Sequence, residues 1–448
     1  MHVEYIKKKI PYLFEEVKYC DLNYFVKNSV YKNSKEKQKK YERLLHETYL
    51  GVIASNRVLG IEYSIGSSHH PKHTLSNFSK NNIFDGMNNF FDFWVKEVKK
   101  KNIKTIIAGD KEYNAVAKIC KIKFRSIERS RHKNFHYWTS SSLKKIPNLE
   151  KNFKKIKKIK KNYINTNKII HRAYDAEFIR RERNLKSLKL KTALKLIVLI
   201  TPRYIYKRFS NTNLSYNFFS SYKAILLRYF HYKYLKKNVF RSDGLSKEKK
   251  IIFFPLHTEP EPQIINNSPF FFFQESLIAL VSRHLPSNYT LAVKESIVGI
   301  GRRDINFYKK INKFKNVILL DPLEEGIKVI KKSDLVITIS GTAGAEAAIL
   351  GKPVISMSPF NNYNILDHVH YLNNLSDLSK VFNHFLNLNK KKKEKSLKDG
   401  YDYLLAIEKS SFDLDTYNHL NTNKIVDISS DNKKKLLTSF IKSIEQKK

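Results

Sequence analysis

Side chains able to bind anions or transfer protons stand directly after apolar runs in the second half of the chain. They are His257 and Glu261 after one run, Lys294 and Glu295 after the next, and Arg303 in the loop beyond. Histidine and carboxylate side chains serve general acid and base catalysis, and lysine and arginine bind phosphate. We therefore expect one site that combines proton transfer with anion binding.

A further apolar run, residues 335–339, leads into a turn of small residues and a helix start. The turn and the first helical turn contain Ser340, Gly341, Thr342, Ala343, Gly344 and Glu346. Small side chains let a ligand approach the backbone, and the N–H groups at a helix start attract phosphate. Thr342 is a candidate helix cap, and Glu346 is suited to hydrogen bonds with sugar hydroxyls.

Each of these features also has a structural interpretation. Small residues at a strand-to-helix turn serve close packing of the helix on the sheet. The charges between His257 and Glu261, with Glu259 among them, are equally those of a solvated loop held by two prolines. The local sequence leaves both interpretations open.

The order of the elements favours the functional interpretation. Predicted strands cover 251–256, 289–293, 316–320, 335–339 and 354–357, and helices alternate with them. This alternation is typical of a doubly wound parallel sheet, whose strands all end at one edge. Ligands bind at that edge, so we expect the functional side chains to converge there.

A second α/β region is predicted before residue 140. A short strand over 104–108 is followed by Asp110, Glu112 and a helix. Both carboxylates are candidates for catalysis, because α/β folds place chemistry after strands, although Asp110 is equally suited to capping the helix. The stretch 49–65 is predicted to hold one or two strands.

No metal site is expected. His69 and His70 lack a carboxylate or cysteine partner nearby in sequence. Cys20 and Cys120 have no metal-ligand spacing and predict neither zinc binding nor a disulfide framework, which fits a reducing compartment.

The charge balance favours anionic partners. Lys and Arg number 84 against 41 Asp and Glu, a net charge of +43. Such an excess attracts phosphorylated small molecules, anionic lipid or nucleic acid, although heavy use of Lys, Asn and Ile is also typical of an AT-rich genome. No RNA- or DNA-binding motif accompanies the basic and aromatic stretch 216–234, and no nucleic acid partner is expected.

Residues 184–206 join a basic helix to an apolar run too short to span a bilayer. This pattern is typical of a helix lying on an anionic membrane surface, and the alternative is a core helix with solvated lysines. With no signal peptide recognised, we expect a cytoplasmic protein that is peripheral on the inner membrane.

Composition and pattern divide the chain into four parts. We predict an N-terminal α/β domain at 1–140 and a basic helical insertion at 141–249. A C-terminal α/β domain at 250–385 is followed by closing helices at 386–448.

Residues 250 to about 370 resemble the capsule polysaccharide biosynthesis family, which includes bacterial β-Kdo transferases. Five blocks carry the resemblance: Leu256, His257, Pro260 and Glu261; Gln274 and Leu285-Pro286; Val293-Lys294-Glu295; Gly301, Arg303, Phe307 and Tyr308; and Thr338, Gly341, Thr342, Gly344, Glu346, Ala347 and Gly351 to Val354. Ser296-Ile297 replaces the His-Pro that the family often has after Lys-Glu. The role of the family histidine at that position is therefore not carried over.

The resemblance implies a GT-B-like enzyme with two Rossmann-like domains facing a cleft. The N-terminal domain at 1–140 would lie on the acceptor side, and the C-terminal domain at 250–385 would bind the nucleotide sugar. It implies a nucleotide-sugar donor as substrate, CMP-Kdo in the Kdo transferases, no other cofactor and no metal. Lys294, Arg303 and the helix start would hold phosphate, Glu346 the ribose, and His257 and Glu261 would lie near the sugar. The acceptor would be a lipid-linked sugar or an oligosaccharide.

Three other functions stay open from the sequence. One is a UDP- or GDP-sugar transferase or an epimerase of the same architecture. The second is a basic nucleic-acid-binding protein. The third is a non-catalytic relative that acts as a scaffold.

Overall fold

The computed structural model describes residues 20–29, 34–56, 59, 79–159, 185–186, 188–209, 218–245, 250–258, 261–414 and 430–445. The chain divides into two compact units. One consists of residues 1–63 and 75–125, and the other of residues 64–74 and 126–448. The predicted division into four parts remains a prediction.

The first unit is helical around one short parallel strand pair. Its elements are α1 (Leu22–Lys27), α2 (Lys35–Leu45), α3 (Tyr49–Ile53), α4 (Lys80–Lys100), β1 (Thr105–Ile107), α5 (Lys111–Ile119) and the start of β2 (Lys123–Arg129). β1 pairs in parallel with the first residues of β2, and α5 forms the crossover between them. This β-α-β unit is the Rossmann-like feature predicted for the N-terminal region.

The prediction of strands at 49–65 is wrong for its first residues, which form α3. The Thr48 hydroxyl accepts a hydrogen bond from the Gly51 N–H at 3.1 Å and caps the helix. The buried residues Tyr49, Val52 and Ile53 have the i, i+3, i+4 spacing of a helix face. A short apolar run is compatible with either element, and here the cap favours the helix.

The second unit begins with antiparallel strand pairs and ends mainly in helices. Before the central sheet it contains β3 (Phe135–Thr139), α6 (Leu149–Lys157), α7 (Leu190–Phe209) and α8 (Phe218–Lys237). After it come α14 (Leu378–Leu386), α15 (Lys390–Lys409), β10 (Phe412–Asp413) and α16 (Ser430–Glu445). Strand β3 pairs antiparallel with the end of β2 and with β10.

Six parallel strands form the central sheet of this unit. They are β4 (Lys250–Pro255), β5 (Tyr289–Lys294), β6 (Val317–Leu320), β7 (Leu335–Thr338), β8 (Val354–Ser356) and β9 (Val369–Tyr371). The helices between them are α9 (Pro262–Asn267), α10 (Gln274–His284), α11 (Ile305–Ile311), α12 (Gly326–Lys332) and α13 (Thr342–Ile349).

The strand order is β6-β5-β4-β7-β8-β9, with every pair parallel. The chain moves outward from β4 to one edge and then returns to build the other half from β7. This is the order of a Rossmann sheet, and its topological switch point lies between β4 and β7. The predicted α/β fold class with a Rossmann-like, doubly wound sheet is confirmed.

The sheet is buried on both faces because successive strand residues point to opposite sides. Along β4, Ile252 and Phe254 enter one apolar core, and Ile251 and Phe253 enter the other. Such uninterrupted apolar strands are the reason that the sequence predicted a fully buried parallel sheet.

Helix α13 ends as predicted but begins differently. Gly351 follows it with φ +66°, the left-handed conformation expected of a glycine at the helix C-terminus. The prediction that Thr342 caps the helix is wrong. Gly341 occupies the N-cap position, Thr342 is the first helical residue, and no side chain bonds to the cap.

Candidate functional site

The ends of β4 and β7 meet at the switch point through His257. The backbone N–H of Ser340 donates to Nε2 of His257 at 3.3 Å, and the Thr338 hydroxyl lies 3.4 Å from the same atom. The predicted site residues His257, Ser340 and Gly341 are therefore brought together, at the place where open α/β sheets bind ligands.

The position of the imidazole proton follows from these contacts. A backbone N–H can only donate, so Nε2 of His257 is the acceptor and the neutral ring carries its proton on Nδ1. Nδ1 lies 3.7 Å from Oε2 of Glu261, whose side chain is 37% exposed. Histidine and carboxylate thus form the pair that the sequence predicted, with the carboxylate on the solvent side.

The backbone of His257 is held as firmly as its ring. The buried Gln274 side chain accepts from the His257 N–H at 2.8 Å and donates to the His257 carbonyl at 3.1 Å. Arg303 donates to the same carbonyl. The histidine is therefore fixed in place before any ligand arrives.

Two glycines in the turn are required by close packing. A Cβ at Gly341 would lie 3.0 Å from Cε1 of His257, and a Cβ at Gly344 would lie 2.5 Å from the side chains of Thr338 and Tyr363. The packing interpretation of this turn is supported at both positions, and the ligand-binding interpretation stays a prediction. Gly344 seats α13 on the sheet, and Gly341 leaves room for the histidine.

Asn361 completes the turn and was missed in the sequence. Its Oδ1 accepts from the Ser340 hydroxyl at 3.0 Å, and its Nδ2 donates to the Ile339 carbonyl at 3.0 Å and to the Ser356 hydroxyl at 2.8 Å. One side chain thereby ties the ends of β7 and β8 together. An asparagine in a polar loop carries no signal that distinguishes it from its neighbours.

Lys294, Glu295 and Arg303 form an enclosed group at the end of β5. Glu295 is 1% exposed and accepts from Arg303 Nε at 2.8 Å and from the Tyr308 hydroxyl at 2.9 Å. Arg303 is 4% exposed and lies over the Phe307 ring. Lys294 donates to the Pro322 carbonyl at 3.2 Å. In this geometry Arg303 and Glu295 position His257 and do not face solvent.

The glycine-containing loop after β5 is held by helix α8. Arg228 donates to the Ile297 carbonyl at 2.8 Å and to the Ile300 carbonyl at 3.2 Å. Gly301, with φ +81°, lies against the backbone of Arg228, where a side chain would clash. Burial, together with a smaller effect of the nearby Arg302, lowers the pKa of the Arg228 guanidinium to about 10. The loop is thus a packing device.

Thr342 and Glu346 line a small cavity of about 30 Å³. The loop between β2 and β3 supplies Arg131 and His132 to its lining. His132 Nε2 lies 2.9 Å from a carboxylate oxygen of Glu408. Burial alone would raise the pKa of Glu408, but hydrogen bonds from His132 and Lys133 outweigh it and hold that pKa below its usual value. Sequence reasoning missed Arg131 and His132, because a basic turn is common.

The two N-terminal carboxylate candidates, Asp110 and Glu112, differ in burial. Asp110 is exposed and occupies the N-cap position of α5 without a side-chain cap bond. Glu112 is buried and accepts from the Asn56 amide at 2.7 Å. Burial raises the pKa of Glu112 well above its usual value, against the lowering effect of the Asn56 hydrogen bond. By environment, Glu112 is the stronger candidate of the two.

Some predicted residues lie outside the described part of the chain, and the predictions about a membrane and a metal are compared with the described part only. His69, His70, Glu259 and Pro260 are not among the described residues. Within the described ranges, no helix is both long and apolar enough to cross a membrane. No three His, Cys, Asp or Glu side chains gather as metal ligands in this part of the chain.

The arrangement combines three chemical capacities at one sheet edge. The N–H groups of the first turn of α13 favour an anion, as they do at helix starts in general. The His257 and Glu261 pair can accept or donate a proton. Gly341, Thr342 and Ala343 are partly exposed at this turn. These are the requirements for binding a phosphate-bearing substrate and carrying out acid or base chemistry beside it.

The sequence profile of a family described as "Protein of unknown function (DUF354)" matches residues 231–409. This range contains the whole central sheet and the candidate site. None of the curated proteins matches the sequence at a significant level.

Solved structures of sugar enzymes are similar at low identity. KpsC of Thermosulfurimonas dismutans, a beta Kdo 2,4 transferase, is 10% identical with a TM-score of 0.28, covering 62% of this chain and 78% of that one. The UDP-GlcNAc 2-epimerase of Neisseria meningitidis is 12% identical with a TM-score of 0.30, covering 75% and 81%. That of Methanocaldococcus jannaschii is 13% identical with a TM-score of 0.27, covering 70% and 80%. These scores are low, so the site assignment rests on the geometry above.

Proposed function

We propose that the protein is a nucleotide-sugar-dependent glycosyltransferase of GT-B-like architecture, acting in the synthesis of capsule or surface polysaccharide. The observation that supports this most is the position of His257 and the Ser340–Gly341 turn at the switch point between β4 and β7. His257 and Gly341 belong to the sequence blocks that resemble the capsule polysaccharide biosynthesis family.

The donor phosphate would lie at the start of α13. Charge develops on the departing nucleotide phosphate during glycosyl transfer, and prearranged N–H groups at a helix start stabilise it. Glu346, on the same helix, would bind the ribose, with Thr342 and Ala343 beside the phosphate. His257 and Glu261 would face the sugar and exchange a proton with the acceptor.

Lys294, Glu295 and Arg303 would act through the framework. Arg303 and Gln274 fix the His257 carbonyl, and Glu295 fixes Arg303. We propose Asp110 and Glu112, in the first unit, as candidate catalytic carboxylates. CMP-Kdo is the donor we propose, on the family resemblance.

Thermal denaturation in the presence of CMP, UDP and GDP tests the donor class. A ligand present at about 100 times its Kd adds about 2.7 kcal/mol to stability, so the correct nucleotide raises Tm. We expect CMP to give the largest rise. A response to UDP alone would favour a UDP-sugar transferase or an epimerase, and no response to any nucleotide would contradict the proposal.

We also propose that the acceptor is lipid-linked and that α7 rests on an anionic membrane. Leu194, Val198 and Leu199 of this helix are more than half exposed, and Lys191 and Lys195 beside them are exposed too. An apolar face flanked by lysines suits an anionic bilayer surface. Flotation with vesicles containing phosphatidylglycerol tests this. The expected binding should be lost in Val198→Asp, and equal flotation of both proteins would contradict the role of α7.

A further inference from the structure

A larger cavity, of about 640 Å³, opens beside the loop that follows β8. Helix α6 and the segment before it form one wall, and Asn361, Asn362 and Ile365 form the other. Pockets of roughly 300–1,000 Å³ are the size that binds small molecules in proteins. The volume is thus sufficient for a sugar with attached phosphate groups.

One wall of this cavity is a stripe of lysines. Lys151, Lys154, Lys155 and Lys158 line it at the i, i+3, i+4, i+7 spacing of a single helix face, and Lys145 adds a fifth ammonium group. The opposite face of α6 is apolar, with Phe153 and Ile156 buried in the core. Packing of that face therefore turns the lysines into the cavity.

Little negative charge offsets these lysines. Glu150 is the one acidic residue among the described residues that line the cavity, and Lys154 donates to it at 2.6 Å. Lys157 on the same helix points elsewhere, to Asp399 at 3.0 Å. Like charges three and four residues apart on a helix repel one another. A bound anion with more than one negative charge would remove that repulsion.

The two walls are connected, and one of them touches the proposed donor site. Asn362 accepts from the Ile146 N–H at 3.0 Å and donates to the Lys144 carbonyl at 3.3 Å. Asn361, beside it in the lining, accepts from the Ser340 hydroxyl at 3.0 Å. A ligand in the lysine cavity would therefore lie one side chain away from the turn at the switch point.

We propose that this lysine cavity is a second anion site, which holds the phosphate groups of the acceptor while the donor occupies the turn. The word acceptor rests on the proposed function, whereas the anion site rests on the lysines alone. Lysine binds phosphate as a point charge and tolerates several geometries, which suits phosphate mono- and diesters.

Calorimetric titration with inorganic pyrophosphate tests the site. Two hydrogen bonds to charged groups are lost in K151Q/K155Q, so Kd should rise by about tenfold or more. The control K309Q/K313Q removes the same charge from exposed lysines at α11, outside the cavity, and should bind like the wild type. No binding to the wild type, or equal binding by all three proteins, would overturn the proposal.

Nucleotide titrations of the same variants separate this proposal from the proposed function. K151Q/K155Q should bind the nucleotide as the wild type does. The two-site proposal fails if the nucleotide displaces pyrophosphate and K151Q/K155Q binds both ligands more weakly than the wild type. The cavity would then be the phosphate site of the donor itself. If pyrophosphate binding depends on the lysines but no nucleotide binds, the anion site stands and the proposed function fails.

The source of the phosphate is tested with two acceptor classes. Vesicles of phosphatidylglycerol in phosphatidylcholine present a lipid phosphodiester, and glucose 6-phosphate presents a soluble sugar phosphate. Lysine-dependent binding of either supports an acceptor site of that source. Binding of neither, or lysine-dependent retention on single-stranded DNA instead, would overturn the assignment to an acceptor.

Discussion

The ends of β4 and β7 differ from the end of β5, although charged or polar residues of similar type stand at all three. At β4 and β7, Ser340, Gly341 and Glu261 are partly exposed around the ring of His257. At β5, Glu295 and Arg303 are enclosed and satisfy each other. Residues of similar type stand in both regions, but their burial differs. The exposed ends of β4 and β7 stay candidates for ligand contact, whereas the enclosed residues at the end of β5 support the fold.

The largest effect should come from breaking the enclosed pair. Arg303→Met leaves the Glu295 carboxylate buried without its guanidinium partner, which should cost about 3–5 kcal/mol of unfolding free energy. Urea denaturation measures this. The control Arg283→Met, at an exposed position of α10, should change stability by less than about 0.5 kcal/mol.

A different result for Arg303→Met would place the end of β5 in the ligand site. If Arg303→Met unfolds like the wild type and loses only nucleotide binding, the guanidinium contacts the donor, and the end of β5 belongs to the site itself.

A smaller loss should follow from filling the packing position in the turn. Gly344→Ala places a methyl group 2.5 Å from Thr338 and Tyr363, an overpacking that costs about 1–3 kcal/mol. Gly326→Ala is the matched control, because nothing lies within 4 Å of its Cβ. Thermal or urea denaturation compares the two. A Gly344→Ala protein as stable as the control would show that α13 is not seated by that glycine.

The first unit also contains one buried carboxylate, Glu112, and one exposed carboxylate, Asp110. Their effects on stability should depend on pH in different ways. Because burial raises the folded-state pKa of Glu112, its contribution to stability is complete below the ordinary glutamate pKa and is lost as the pH rises through the raised value. Glu112→Gln should lack this loss. Urea denaturation from pH 4 to pH 8 measures the difference.

The exposed Asp110 provides the control for that experiment. Asp110→Asn should keep most of the wild-type loss of stability with rising pH, since burial, the main cause of the raised Glu112 pKa, is unchanged. A Glu112→Gln profile parallel to the wild type would mean that Glu112 is ionised without penalty in the folded protein.

Much of the fold was predictable, because buried parallel strands leave a strong signal. Ile251 to Phe254, with every residue apolar, predicts a strand covered on both faces, and the alternation with helices predicts the doubly wound sheet. Helix α3 was not predictable from its apolar residues alone, since its cap decides the element.

The site was predictable only in part. The resemblance and the spacing place His257 and the Ser340–Gly341 turn correctly at one edge. The enclosure of Arg303 depends on Arg228, Tyr308 and the loop 297–301, which are distant in sequence, and no local pattern reports it. Asn361 and Arg131 are likewise brought in by tertiary packing.

We propose that a nucleotide binds at the turn beside His257. Calorimetric titration of CMP, UDP and GDP into Gly341→Ala tests this binding directly. A methyl group at this position lies 3.0 Å from Cε1 of His257 and displaces the ring or the turn. The account predicts that one nucleotide binds the wild type and Gly326→Ala equally and Gly341→Ala about tenfold more weakly. Equal binding by all three proteins, or no binding to the wild type, would contradict it.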